Sequence, residues 1–163
     1  MVAPIVITVL AFLHILSGMA WLGGAVLFAS VVAPGLRKVS PPARLEFLAK
    51  VGPTANRFFV GVATSTIVFG LALLFSFFGS DYSLWPSSII VGFSLGFIAY
   101  LTGMVVTVPT LSKAFKLAKD ALAMGAPSPQ LAVLMKRSGI SSGLTAILLV
   151  MAVVFMVATG FPF

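Results

Sequence analysis

The chain has no cysteine and very little charge: of 163 residues, 8% are Asp, Glu, Lys or Arg. Without cysteine there is no disulfide, no thiolate metal site and no thiol nucleophile. A soluble domain carries about 25% charged residues because its surface meets water. At 60% hydrophobic residues, this surface is expected to meet lipid. The three acids, Glu46, Asp81 and Asp120, are far apart in sequence, so no paired carboxylate can relay protons through an apolar interior. His14 is the single histidine, which rules out a bis-histidine site within one chain. No Ser/His/Asp arrangement and no phosphate-binding glycine loop is present. The pair Gly23–Gly24 lies inside an apolar run, where glycines mean close packing. The N-terminus lacks the basic residues that precede a signal peptide's apolar core, so a retained helix is expected from Pro4 onward.

What the chain does have is apolar length. Four runs can each cross a hydrocarbon core of ~30 Å, which takes about 20 helical residues. They extend from Pro4 to Ala33, Phe58 to Phe78, Ser88 to Leu111 and Ile140 to Phe161. Backbone groups in lipid must be satisfied internally, and these runs are too long for barrel strands. The expected fold is therefore an all-α integral membrane protein, an antiparallel bundle of four transmembrane helices forming a single domain over residues 1–163. The first run exceeds a simple span, so it should tilt or protrude. Pro109 should bend the end of the third.

The net charge of +7 needs reading by position. Arg37, Lys38, Arg44, Lys50 and Arg57 follow the first run, and Lys113, Lys116, Lys119, Lys136 and Arg137 follow the third. Together they are all 10 basic residues of the chain, while the link from Gly79 to Ser87 holds only Asp81. This is the pattern of loops at a membrane face and not of a nucleic-acid patch. By the positive-inside rule, loops 34–57 and 112–139 are cytoplasmic, loop 79–87 is outside, and both termini lie outside a plasma membrane. Anionic lipids at the inner face are the expected partners of those cations. Tyr82 and Trp85 suit the outer aromatic belt.

Both inner loops show helix signals. Ser40 before Pro41 and Pro42 is a capping pattern. Leu45, Leu48 and Val51 then recur on one stripe, as in an amphipathic helix at headgroup level. Ser128 and Pro129 open a second helix, expected to run through Lys136 and Arg137 into the fourth span. The strings VVAPGLRK and VVTVPTLSK end the first and third runs, a sign of two duplicated hairpins or of ordinary helix ends at one membrane face. Small residues mark the expected helix contacts: Gly92, Gly96, Gly103 and Thr107 with Tyr100 between them, Gly61, Ser65, Thr66 and Gly70, and Gly139, Gly143 and Ala146.

An ionisable residue at membrane depth is a functional candidate. His14 shares a helical face with Ser17, Gly18, Trp21, Gly24 and Phe28. Neutral imidazole ligates iron, copper and zinc, and Gly18 and Gly24 leave room for a flat ring. The residues leave three roles open for His14: a haem ligand, a ligand to another metal such as copper, or a neutral side chain hydrogen-bonded to Ser17 or to a hydroxyl on another helix. A single-chain haem would be five-coordinate or take a methionine, with Met104 and Met156 the candidates; otherwise it would lie between protomers or partner subunits. Methionine is more commonly a gap-filler than a ligand.

The segment LHILSGMAWLGGAVLF resembles a known signature: His14 stands seven residues before Trp21, followed by the small pair, in the first span. It is similar to the copper-resistance D (CopD) membrane domain and its relatives, and to the first helix of HemJ-type protoporphyrinogen oxidases, small haem b membrane proteins. The exit VVAPGL and the basic loop fit the CopD-like group better. The resemblance implies a haem or metal ligand at His14 and a packing role for Trp21. HemJ-type proteins add a lysine in the third helix, and the run from Ser88 to Leu111 has none, which argues against protoporphyrinogen oxidation. CopD domains sit in longer chains with more histidines. The expected function is haem b binding in electron transfer or a respiratory-type complex, as a homo-oligomer or with other membrane subunits. The alternatives are copper or small-solute transport, and an accessory subunit without cofactor.

Overall fold

A computed structural model describes residues 4–124 and 128–158. Helices dominate and no strand occurs among the described residues. We number them α1 (Pro4–Lys38), α2 (Pro41–Lys50), α3 (Gly52–Phe78), α4 (Ser87–Met124) and α5 (Pro129–Val157); a short 3-10 turn, Tyr82–Leu84, joins α3 to α4. Four of the five, α1, α3, α4 and α5, are long and apolar enough to cross a membrane. The protein is a multi-pass membrane protein built as a helical bundle. The end of the fourth expected span, 159–161, lies outside the described residues.

Three helices extend beyond the bounds expected for them. α1 continues past Ala33 to Lys38, α3 begins at Gly52 and not Phe58, and α4 continues past Leu111 to Met124. The two continuations pass a proline by the same device. A five-residue π turn, Phe28–Val32, ends two residues before Pro34, and a second, Gly103–Thr107, ends two residues before Pro109. Proline has no amide to donate and its ring clashes with the carbonyl four residues back. A widened turn re-registers the ladder so that the helix continues. The basic loops are therefore largely helical.

At the basic end, α2 folds back onto α4. Leu48 is buried with Ala114, Phe115, Ala118 and Leu131, and Leu45 packs against the same cluster. The expected apolar stripe is thus covered by protein, except for Val51, which is 43% exposed. Ser40 stands at the N-cap of α2 but its side chain makes no capping bond, so the prolines after it carry the start. Ser128 does cap α5, accepting from the Gln130 amide at 3.3 Å. At the other end Asp81 accepts from the Ser83 hydroxyl at 2.6 Å and its amide at 3.0 Å. These bonds hold the Asp81 carboxyl below its ordinary range, so the stabilisation is present at neutral pH and lost as pH falls through that lowered value. Trp85 meets Tyr82 and Phe75 edge-on, with ring centroids 4.9 and 5.8 Å away.

Within the spans, α1 packs along α3 and α4 along α5. Only some of the expected glycines make these contacts. A Cβ at Gly92 would stand 2.8 Å from Met156 Cγ and 3.1 Å from the Ala152 carbonyl oxygen, and one at Gly24 would stand 2.9 Å from the Phe59 ring. Gly61, Gly103, Gly139 and Gly143 face nothing within 4 Å, so the helix-packing roles expected of them are not met. In α5 the close contact falls to Ala152. Gly92→Ala should therefore cost about 1–3 kcal/mol through overpacking against a backbone atom. Gly23→Ala, where a Cβ meets nothing within 4 Å, serves as the control. Thermal melts of both variants in micelles, followed by helical circular dichroism, should show a lowered midpoint for Gly92→Ala alone.

Candidate functional site

His14 lies in the first half of the apolar part of α1, and its contacts are with α3. Its Nδ1 is 2.9 Å from the backbone carbonyl oxygen of Thr66. A carbonyl can only accept, so Nδ1–H is the donor and the neutral ring keeps its lone pair on Nε2. The ring also lies against Gly70, where a Cβ would come within 2.8 Å of Cε1 and 3.0 Å of Nδ1. Glycine at 70 is what lets the imidazole reach the α3 backbone. This is the one place in the described spans where a ring nitrogen bridges two helices.

The partner is neither of those expected for a structural histidine. Ser17 turns back to its own helix, donating to the Leu13 carbonyl at 2.7 Å, with the His14 carbonyl oxygen 3.1 Å away. The Thr66 hydroxyl likewise donates to Val62 at 2.7 Å. Hydroxyls in apolar helices satisfy themselves on the preceding turn, which leaves a backbone carbonyl as the available cross-helix acceptor. The signal in sequence was Gly70, four residues beyond Thr66, though nothing there paired it with His14.

The room expected beside Gly18 and Gly24 is taken by α3. The Thr66 methyl lies 3.6 Å from a Cβ built at Gly18, and the Phe59 ring fills the space at Gly24. Trp21 is 5% exposed and sits with Ala63, Ala99 and Leu149, one residue from each of the other spans. Tyr100 and Met104 pack against that cluster. The Tyr100 hydroxyl is 3.3 Å from that of Thr64, linking α4 to α3. Trp21, Tyr100 and Met104 are thus brought together, about 10 Å along α1 from His14, given a rise of about 1.5 Å per residue. Met156 packs on Gly92 of α4.

As a donor set, the site offers one nitrogen. No cluster of three or more His, Cys, Asp or Glu occurs among the described residues. An imidazole with Nδ1–H on a backbone carbonyl and Nε2 free is the usual form of a metal-ligating histidine, with the tautomer fixed and the ring oriented. The neutral imidazole could therefore donate an electron pair through Nε2, while its other face packs against Gly70.

Nitrogen-15 spectra of the imidazole should show Nδ1 protonated and Nε2 bare at neutral pH. Gly70→Ala should push the ring off the Thr66 carbonyl, mix the two tautomers and lower stability by about 1–3 kcal/mol. An unchanged tautomer in Gly70→Ala would mean that the glycine does not set the ring position. No protein-family model, no curated protein and no solved structure matches this chain.

Proposed function

We propose that the protein is a haem b-binding component of the plasma membrane, with His14 Nε2 as the axial ligand, acting in electron transfer within a larger membrane assembly. The observation that carries this reading is the 2.9 Å bond from Nδ1–H to the Thr66 carbonyl, because it presents the other nitrogen to a metal. The resemblance of the α1 segment to CopD-like proteins points the same way. His14 would hold the group by donating an electron pair from Nε2, and Gly70 lets the imidazole sit against α3. Bound haem supplies one-electron chemistry. His14 is the donor on which this reading rests. The exposed apolar face of α1 would leave room for a second copy or another subunit beside His14.

The bundle is antiparallel, and the gathering of all 10 basic residues at one end argues for both termini outside. Supporting the antiparallel order, contacts climb α3 as they descend α1: Gly24 meets Phe59, Gly18 meets Thr66 and Gly70 meets His14. α4 and α5 run likewise, with Gly92 against Met156, Gly96 against Ala152 and Thr107 donating to Ser141 at 2.9 Å. The matching π turns before Pro34 and Pro109 support a duplicated hairpin. A second reading, a cofactor-free accessory subunit, draws on the same bridge, since a histidine locking α1 to α3 needs no metal.

Absorption spectra of protein purified from haem-replete cells decide between them. The wild type is expected to carry a Soret band that His14→Ala abolishes while both proteins keep the same helical content. A colourless, iron-free wild type would leave the accessory reading. Metal content tracking His14 without a Soret band would indicate copper. Orientation is tested separately, because a chain without cysteine accepts single reporters. An impermeant maleimide should label Ser83→Cys in intact cells and Ser40→Cys only after permeabilisation.

A further inference from the structure

Three of the basic residues line one groove. Arg57 at the start of the α3 apolar run, and Lys116 and Lys119 on the extension of α4, surround a space of about 340 Å³. Its polar lining continues with Asn56, whose side-chain amide donates to the Ser112 hydroxyl at 3.2 Å and ties α3 to α4 across the groove. No carboxylate lines it. Glu46, the acid of α2, is occupied by Lys50 at 2.6 Å. Three cations therefore converge without an internal counter-ion, an arrangement that repels itself unless an anion is supplied.

The floor is apolar and built. Phe115 is buried beneath the groove, and it reaches that place because residue 52 has no side chain: a Cβ at Gly52 would stand 2.5 Å from the Phe115 ring. Ala49 and Pro53 complete the wall. Beside Arg57, Phe58 is 50% exposed at the start of the membrane-spanning part of α3. A cationic, hydrogen-bonding rim over an apolar floor, continuous with a lipid-facing helix, matches an anionic headgroup whose acyl chains run along the span. A free phosphate would use the rim and leave the apolar part without purpose.

We infer that this groove is a specific site for the phosphodiester of an anionic phospholipid, with Arg57, Lys116 and Lys119 neutralising the phosphate and Phe115 supporting the glycerol end. The inference rests on the proposed topology only in that the groove meets a headgroup layer, and haem plays no part in it. Arginine supplies the planar fork suited to phosphate oxygens, and the lysines supply mobile point charges. The site would hold one lipid against the α2–α4 junction and so brace the end of the bundle at which the basic helices gather.

The test is a titration of full-length protein, stripped of lipid in a neutral detergent, with short-chain phosphatidylglycerol, phosphatidylcholine or inorganic phosphate, reading the thermal midpoint. Phosphatidylglycerol should stabilise the wild type and Lys38→Gln/Lys113→Gln alike. The groove variant Lys116→Gln/Lys119→Gln should need on the order of tenfold more lipid for the same shift. If that variant does not fold, Lys119→Gln alone should need about fivefold more. Equal losses in the two double variants would reduce the effect to bulk charge, and an equal response to phosphatidylcholine would remove the charge requirement. Stabilisation by inorganic phosphate at matching concentrations would make this a free-anion site. Each of those outcomes overturns the lipid assignment. Micelles have no sides, so the result is independent of the maleimide experiment, and failure of one leaves the other standing.

Discussion

Trp21 is the contact on which the bundle depends. Its indole touches a cluster drawn from every other span, with Ala63 from α3, Ala99 from α4 and Leu149 from α5. In lipid there is no expulsion of apolar groups to drive helices together, so association relies on dispersion contacts at close range. One large side chain surrounded by small ones is an efficient way to obtain them. Ala99, fully buried, leaves α4 the clearance to approach. Around this wedge, α1 settles on α3 and α4 on α5, and the glycines that matter are those at the two seams.

His14 sits two turns away, where the α1–α3 seam would otherwise be apolar. Placing an imidazole there requires an acceptor for its N–H, since an unpaired polar group in hydrocarbon costs several kcal/mol, on the order of 2–7. The Thr66 carbonyl provides it, and Gly70 provides the approach. A consequence is that one ring nitrogen is committed and the other is spared. The structural lock and the proposed ligation draw on the same bond, which is why a spectrum and not a stability measurement separates the two roles.

The basic end is organised differently. There a second cluster, Leu48 with Ala114, Phe115, Ala118 and Leu131, lies beneath cationic side chains and is covered by the short helix α2. The two π turns carry α1 and α4 past their prolines into this region, so the charged segments extend rigid helices. The extension of α4 brings Lys116 and Lys119 to the groove, where they meet Arg57 of α3. The two ends thus differ in kind: contacts between small residues within the spans, and an apolar core under a charged rim beyond them.

Hydropathy and charge in the sequence were enough to establish four membrane helices and the helical reading of the segment entering α5, because length and apolarity are one-dimensional properties that lipid reads directly. The packing role of Trp21 was implied only by the family resemblance; its three partners, one from each other span, come from the tertiary structure. Where helices stop was not legible: α1 and α4 pass Pro34 and Pro109 because a widened turn absorbs the missing hydrogen bond, and that depends on the ladder and not on residue type. Which glycines touch was equally hidden. Gly92 and Gly70 lie on seams while Gly139 and Gly143 face outward, although all are glycines in apolar helices. The rotation of each helix about its axis decides this, and rotation is set by partners distant in sequence. The same holds for His14. The sequence by itself determined that a lone imidazole lies in the membrane; only the tertiary structure decided that a carbonyl 52 residues away in the chain fixes its proton on Nδ1.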